Sequence, residues 1–225
     1  MLKINGLMAM MVLLFIGCRA NADTEEPVDM TPVEESEITF EEQESSKDKE
    51  KKMQLTLENT TYSFVYKDYP ILSQYVHNFD QPEEQLRRLP FSKIKKDQYR
   101  VEFACHEERC SHLMIDFNKK DSYLMSDLSR LVSTHVSPDQ HFVAFIYQRD
   151  HDGEHRHQLI VMDLDTLEPV GLEPNGDHLI PKPNQYQYAI HSVTFMDEEK
   201  LQITSDDPMA DPSVEEPVHS LWIYQ

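Results

Sequence analysis

The chain has 225 residues, with 41 Asp and Glu against 21 Lys and Arg and a net charge of −20 at neutral pH. That balance is opposite to the basic footprint that grips a phosphate backbone, which removes nucleic acid and anionic membrane surfaces from the expected partners. Five glycines are too few to shape a phosphate-cradling loop, and neither a His-Glu-x-x-His nor a Gly-x-Ser-x-Gly pattern occurs, so no catalytic motif points to an enzyme.

The chain opens with Lys3, runs through ten apolar residues from Leu7 to Ile16, and reaches Gly17-Cys18. A basic start, an apolar centre and a small residue before the cut are the plan of a secretory signal peptide. Ten helical residues rise about 15 Å, half of a roughly 30 Å hydrocarbon core, so the stretch is an export signal and not a span. Phe15-Ile16-Gly17-Cys18 resembles the lipobox of bacterial lipoproteins, with Phe15 standing where Leu is usual. The resemblance implies that residues 1–17 are removed, that the Cys18 thiol carries a diacylglyceryl group, and that the protein is held at the extracytoplasmic face of the cell membrane. Two long acyl chains, at about 0.8 kcal/mol per buried CH₂, anchor firmly where one is marginal. The alternative is a plain secreted protein in which Cys18 is incidental.

After the lipidated Cys18, residues 19–52 contain twelve acids and five bases and almost no large apolar residues. A segment of this composition buries too little surface to offset its chain entropy and is expected to be a disordered acidic tether. As a flexible coil it reaches about 30–35 Å. The run from Glu41 to Glu44 and the mixed run from Lys47 to Lys52 read either as a solvated spacer or as a partner-binding tail.

Residues 53–225 are enough for a single extracytoplasmic domain with a proper core. Short apolar runs at strand length, bounded by Asp, Asn and Pro, indicate a mainly β fold. In chain order, a helical segment is expected across 71–89, with Leu72, Val76, Phe79 and Leu86 at apolar positions and Pro82 breaking or kinking it. Alternation over 99–103 and 113–117 predicts a hairpin. A second pair, 142–147 with 158–164, is expected to flank a polar loop at 148–157. A third, 192–195 with 201–204, precedes a last strand over 220–224.

Ser137-Pro138-Asp139-Gln140-His141-Phe142-Val143-Ala144-Phe145 resembles the start of a repeat in TolB-like β-propellers, and Gln158 to Thr166 resembles the later strand and turn of the same blade. A weaker echo runs from Thr194 to Leu201 and ends with Leu221-Trp222-Ile223-Tyr224. Gln140 stands where a Gly usually completes the turn. The resemblance implies antiparallel meander sheets in a partial or small propeller, since closed rings need at least four blades of about 40 residues. The rival fold is a β-sandwich with propeller-like hairpins.

Three features bear on chemistry. The loop around Asp150-His151-Asp152-Gly153-Glu154-His155-Arg156-His157 concentrates imidazoles and carboxylates, and His155 and His157 share a strand face, so His151, His155, His157 and Asp152 are candidate ligands for a divalent metal; the plainer reading is a well-hydrated hairpin tip. Asp163 and Asp165 read as turn residues or, alternatively, as a carboxylate pair. Cys105 and Cys110 flank four residues between two strands and are expected to form a disulfide in an oxidising compartment, the alternatives being free thiols or a metal site with His106 and His112. Together these features point to a membrane-tethered, non-enzymatic binding or scaffold protein without a cofactor, which meets another envelope protein or an extracellular ligand. The alternative is a metal-binding or metal-dependent envelope protein using the 150–157 loop, joined by His106 and His112.

Overall fold

The computed structural model describes residues 52–178, 180–209 and 216–224. The leader, Cys18 and the tether as far as residue 51 lie outside the described residues, whereas Lys52, assigned to the tether by composition, already opens the first strand.

Strands β1 (Lys52–Leu57) and β2 (Thr60–Val65) form a hairpin that turns over Glu58 and Asn59, with Glu58 at φ 52°. The helical segment resolves into α1 (Pro70–Val76) and α2 (Pro82–Arg88), each with a proline in its first turn. A proline there gives up an N–H that has no intrahelical partner anyway, so Pro82 starts a second helix instead of kinking one long one. Leu72, Val76 and Leu86 are buried as their spacing indicates, while Phe79 falls in the connection and lies exposed against Tyr75.

Antiparallel pairing then builds three four-stranded meanders. The first comprises β3 (Phe91–Lys95), β4 (Gln98–His106), β5 (Arg109–Asp116) and the first half of β6 (Asp121–Val136). The second half of β6 begins the next meander, followed by β7 (Phe142–His151), β8 (Glu154–Asp163) and β9 (Glu168–Pro169). One strand serves both because β5 pairs with it as far as Ser129 and β7 from Arg130 onward, with Leu128 at φ 43° where the strand turns from one to the other. In the third, β11 (Ile190–Phe195), β12 (Lys200–Ser205) and β13 (Val218–Tyr224) are consecutive, and β10 (Leu172–Pro174) fills the fourth place beside β13.

The period of two sends alternate residues of each strand into different cores. Tyr99, Val101, Leu113 and Ile115 pack with Phe64, Leu72 and Leu86 in the first core, whereas Met114 turns the other way, towards Val143, Phe145 and Tyr147. The opposite face of β7 and β8, with Ala144, Ile146, Leu159 and Val161, packs on Ile203, Leu201 and Trp222 of the third meander. Each Val, Leu, Ile, Phe or Met among them, nearly or wholly removed from water, contributes about 1.5–3 kcal/mol. The meanders thus stack in chain order, and the first is covered on its outer face by β1, β2 and the helices.

One aspartate organises a turn of each meander by accepting two backbone N–H groups. Asp116 takes those of Asn118 and Lys119, Asp163 those of Asp165 and Thr166, and Asp197 those of Glu199 and Lys200, all at 2.6–3.1 Å. This is the ordinary way a short acidic side chain replaces a missing backbone partner. Asp163 and Asp165 are accordingly turn residues, and Asp165 pairs with His141 at 2.6 Å. Gln140 adopts φ 61°, the conformation for which glycine is favoured, and its N–H bonds to Ser137 O at 2.9 Å.

Candidate functional site: the hairpin end of the sheets

The segment expected as a loop at 148–157 is mostly strand. β7 and β8 stay paired out to His151 and Glu154, and only Asp152 and Gly153, at φ 53° and 84°, make the turn. Two residues of positive φ match the twist of the flanking strands, and Asp-Gly is a favoured pair for them. The polar side chains misled the expectation: the ladder continues beyond the core, where the arms are solvated.

This geometry separates the four candidate ligands. His151 and Asp152 form an exposed pair at the tip, 3.2 Å apart. His155 lies 2.7 Å from Asp150, and the Gln148 amide together with the His155 ring holds the Asp150 carboxyl below the usual carboxylate range. His157 is buried on the same face and acts differently. Its Nδ1 accepts the N–H of Ile190 at 2.7 Å, which leaves the proton on Nε2 to be donated to Gln148 Oε1 at 3.3 Å. Burial pushes this imidazole down to about 4, with His155, His191 and Arg130 adding to the effect. His157 is therefore a neutral strut between the second and third meanders, and a metal ion would have to displace one of its two bonds. Among the described residues no three His, Cys, Asp or Glu side chains converge on a point fit for a metal ion.

The Cys105–Cys110 disulfide is formed, with Cα atoms 4.0 Å apart. The turn within the ring it closes is shorter than expected, because His106 still pairs with Arg109 and leaves only Glu107 and Glu108 in the turn. A bulge at Ala104, φ 49°, shifts the register so that the two cysteines meet. His106 stays exposed at this tip, whereas His112 is buried between strands, so the two do not meet at the disulfide. A groove of 410 Å³ separates the tip from the β7–β8 hairpin, lined by Glu107, Glu108, Arg109, Arg130, Gln148 and Asp150. Arg130 crosses its floor to Gln148 at 2.7 Å and to Glu108 at 3.5 Å.

Behind the tip lies a buried polar chain that the sequence reading missed. Arg100 bonds to Ser92 at 3.2 Å, pairs with Glu102, and donates to His112 Nδ1 at 3.3 Å; His112 Nε2 in turn donates to Ser129 O at 3.0 Å. Burial lowers the His112 imidazole, so it too is neutral. Its ring lies 4.7 Å from that of Tyr147, across the first and second meanders. Alternation placed Arg100 and Glu102 opposite Tyr99, Val101 and Phe103, but that this second face is covered depends on β7, some 45 residues further along the chain.

The arrangement offers a carboxylate–imidazole hydrogen bond at Asp150–His155 and polar contacts in the groove. Hydroxyl–imidazole pairs occur at Ser133–His135 and Thr204–His219, both 3.0 Å, but among the described residues neither imidazole has a carboxylate behind it, as an activated nucleophile needs. No protein-family model matches the chain and no curated protein matches it, so the functional reading rests on these residues alone.

Proposed function

We propose that the chain is a bacterial envelope lipoprotein, anchored through Cys18 on the extracytoplasmic side, whose β domain is a non-enzymatic binding module made of propeller-like blades. The observation that carries the proposal is the second meander. Its first turn is Ser137-Pro138-Asp139-Gln140, its later turn is organised by Asp163, and its four strands follow one another in the order of a blade. The first meander has the same order, with Asp97 at φ 63° in its first turn and Asp116 in its later one. Three stacked blades leave open grooves between their turns, which suits the binding of a macromolecule better than the enclosure of a small substrate. The Cys105–Cys110 disulfide fits an exported protein, and the buried His112 and His157 serve as struts rather than as reactive groups.

The test is crosslinking of the lipidated full-length protein in intact cells, followed by solubilisation and capture. A reproducible envelope partner, recovered equally with His155→Ala and after metal chelation, is the expected result. Turnover that depends on an added divalent metal would overturn the non-enzymatic reading and favour the metal-dependent alternative.

A further inference from the structure

Among the described residues, the last seven of β6 have a strand partner on one side only, since β5 pairs with β6 no further than Ser129 and β7 takes residues 130–136. Ser137 donates its N–H to Phe142 O at 2.9 Å, and the register opposes Val136 to Val143 and Thr134 to Phe145. Hydrogen-bonded and non-hydrogen-bonded pairs alternate along an antiparallel ladder. Ser137 and His135 therefore turn their backbone groups towards β7, and Thr134 and Val136 turn theirs to the open side.

Free edges are ordinarily guarded by charge, proline or a bulge. Residues 131–136 carry no acid, Lys, Arg or Pro, and the single irregularity, between Leu131 and Ser133, leaves the downstream stretch in continuous register. Leu128, Val132 and Val136 are 51%, 46% and 43% exposed along it. Two grooves prolong this edge. The nearer, of 340 Å³, lies between Ile94, Val136, Pro138 and Leu164. Pro138 also borders the second, of 530 Å³, whose other walls include Met196, Glu198 and Glu199. Asp139 and Asp197 beside them are engaged by Ser137 and by turn N–H groups, but the Glu198 and Glu199 carboxylates have no hydrogen-bond or ion-pair partner among the described residues.

We infer that the open edge of β6 receives an extended strand from another protein, with alternating β-branched residues followed by lysine or arginine. The strand pairs with the free N–H and C=O groups of Thr134 and Val136, sets an apolar side chain against Ile94 and Leu164, and delivers its basic end to Glu198 and Glu199. Charge selects this occupant over a second copy of the chain: the net charge of −20 repels another copy and attracts a basic segment. Strand addition of this kind draws affinity from the main chain and specificity from side-chain pockets. The inference rests on the reading of the domain as a binding module and names its site and partner class.

The probe is a fluorescent peptide of six alternating Thr and Val residues followed by three Lys, titrated by anisotropy into the full-length protein in detergent. Saturable binding is expected. Thr134→Pro removes an outward N–H while sparing the bonds to β7, and should weaken binding about tenfold or more. Val132→Lys guards the edge without touching the core and should do the same, so it carries the test if the proline variant unfolds. Glu198→Gln and Glu199→Gln should each cost about threefold, and a Glu-tailed peptide should bind at least about tenfold more weakly. Absence of saturable binding, or binding indifferent to Thr134→Pro and Val132→Lys, overturns the site. A dimer in sedimentation that Val132→Lys dissolves gives the edge to a second copy and overturns it as well. If partner capture from cells survives Val132→Lys, this site fails while the binding-module reading stands.

Discussion

Lowering the pH should loosen the joint between the second and third meanders through His157. The folded imidazole titrates at about 4, below the ordinary 6.5, because burial, which leaves it only 9% exposed, penalises the charged ring; protonation would also cost it the Ile190 N–H bond. Above pH 6.5 both folded and unfolded forms are neutral and stability is complete. Between pH 6.5 and 4 the unfolded chain takes up a proton that the folded one refuses, so stability falls with pH. At 1.36 kcal/mol per unit the full shift is worth at most about 3 kcal/mol, and at pH 5 about 2 kcal/mol has been lost. The groups facing the ring, His155, His191 and Arg130, act in the same direction, and Asp206 opposes them. Urea unfolding at pH 7.5 and pH 5 measures the loss, and staying above pH 5 avoids the protonation of Asp139, Asp150, Asp165 and Asp197, whose carboxyls are all held low. His157→Gln keeps an acceptor for Ile190 and a donor for Gln148 but cannot titrate. It should cost about 1–2 kcal/mol at pH 7.5 and retain only the weaker acid sensitivity that His112 supplies. Equal pH dependence in wild type and variant would refute the reasoning.

Reduction and alkylation of Cys105 and Cys110 should destabilise the domain by about 2 kcal/mol, the loop-closure value for so short a ring, and non-reducing mass spectrometry should find neither thiol labelled beforehand. Trp222→Ala should cost about 3–5 kcal/mol, because the indole is fully buried in the core between the second and third meanders, and its Nε1 donates to Ser220 at 2.8 Å; a loss below 1 kcal/mol in denaturant titration would show that core to be loosely packed. Gln98→Leu removes donors to Asp116 at 2.8 Å and to the Leu164 carbonyl at 2.5 Å, a tie between the first two meanders, and should cost about 1–3 kcal/mol by the same titration.

Where strand alternation coincides with a one-sided core, the fold was legible in the residues. Tyr99, Val101 and Phe103 in one run and Leu113, Ile115 and Phe117 in the next announce β4 and β5, and Pro82 divides the helical segment where it should. β6 was not legible, although it is the longest strand among the described residues. Its burial alternation breaks at Met125–Ser126 and again at Asp127–Leu128, so no single alternation runs through its 16 residues. β1 and β2 were missed for another reason: short and flanked by charge, they merge in composition with the segment before them. The disulfide pairing followed from spacing, but the bulge at Ala104 that lets it form did not. His155 and His157 were rightly placed on one face, yet the role of His157 is set by Ile190, 33 residues away in another sheet, and no local pattern announces such a partner.

The claim on which the functional account depends is that the domain is carried on lipid through Cys18. Mass spectrometry of the N-terminal peptide from membrane-fraction protein, with Cys18→Ala in parallel, addresses it directly. The account predicts a mature chain that begins at a diacylglyceryl-modified Cys18 and sediments with membranes, and an alanine variant that is released or left uncut. An unmodified Cys18 in a soluble mature protein, or an alanine variant processed and sedimenting like the wild type, would contradict it.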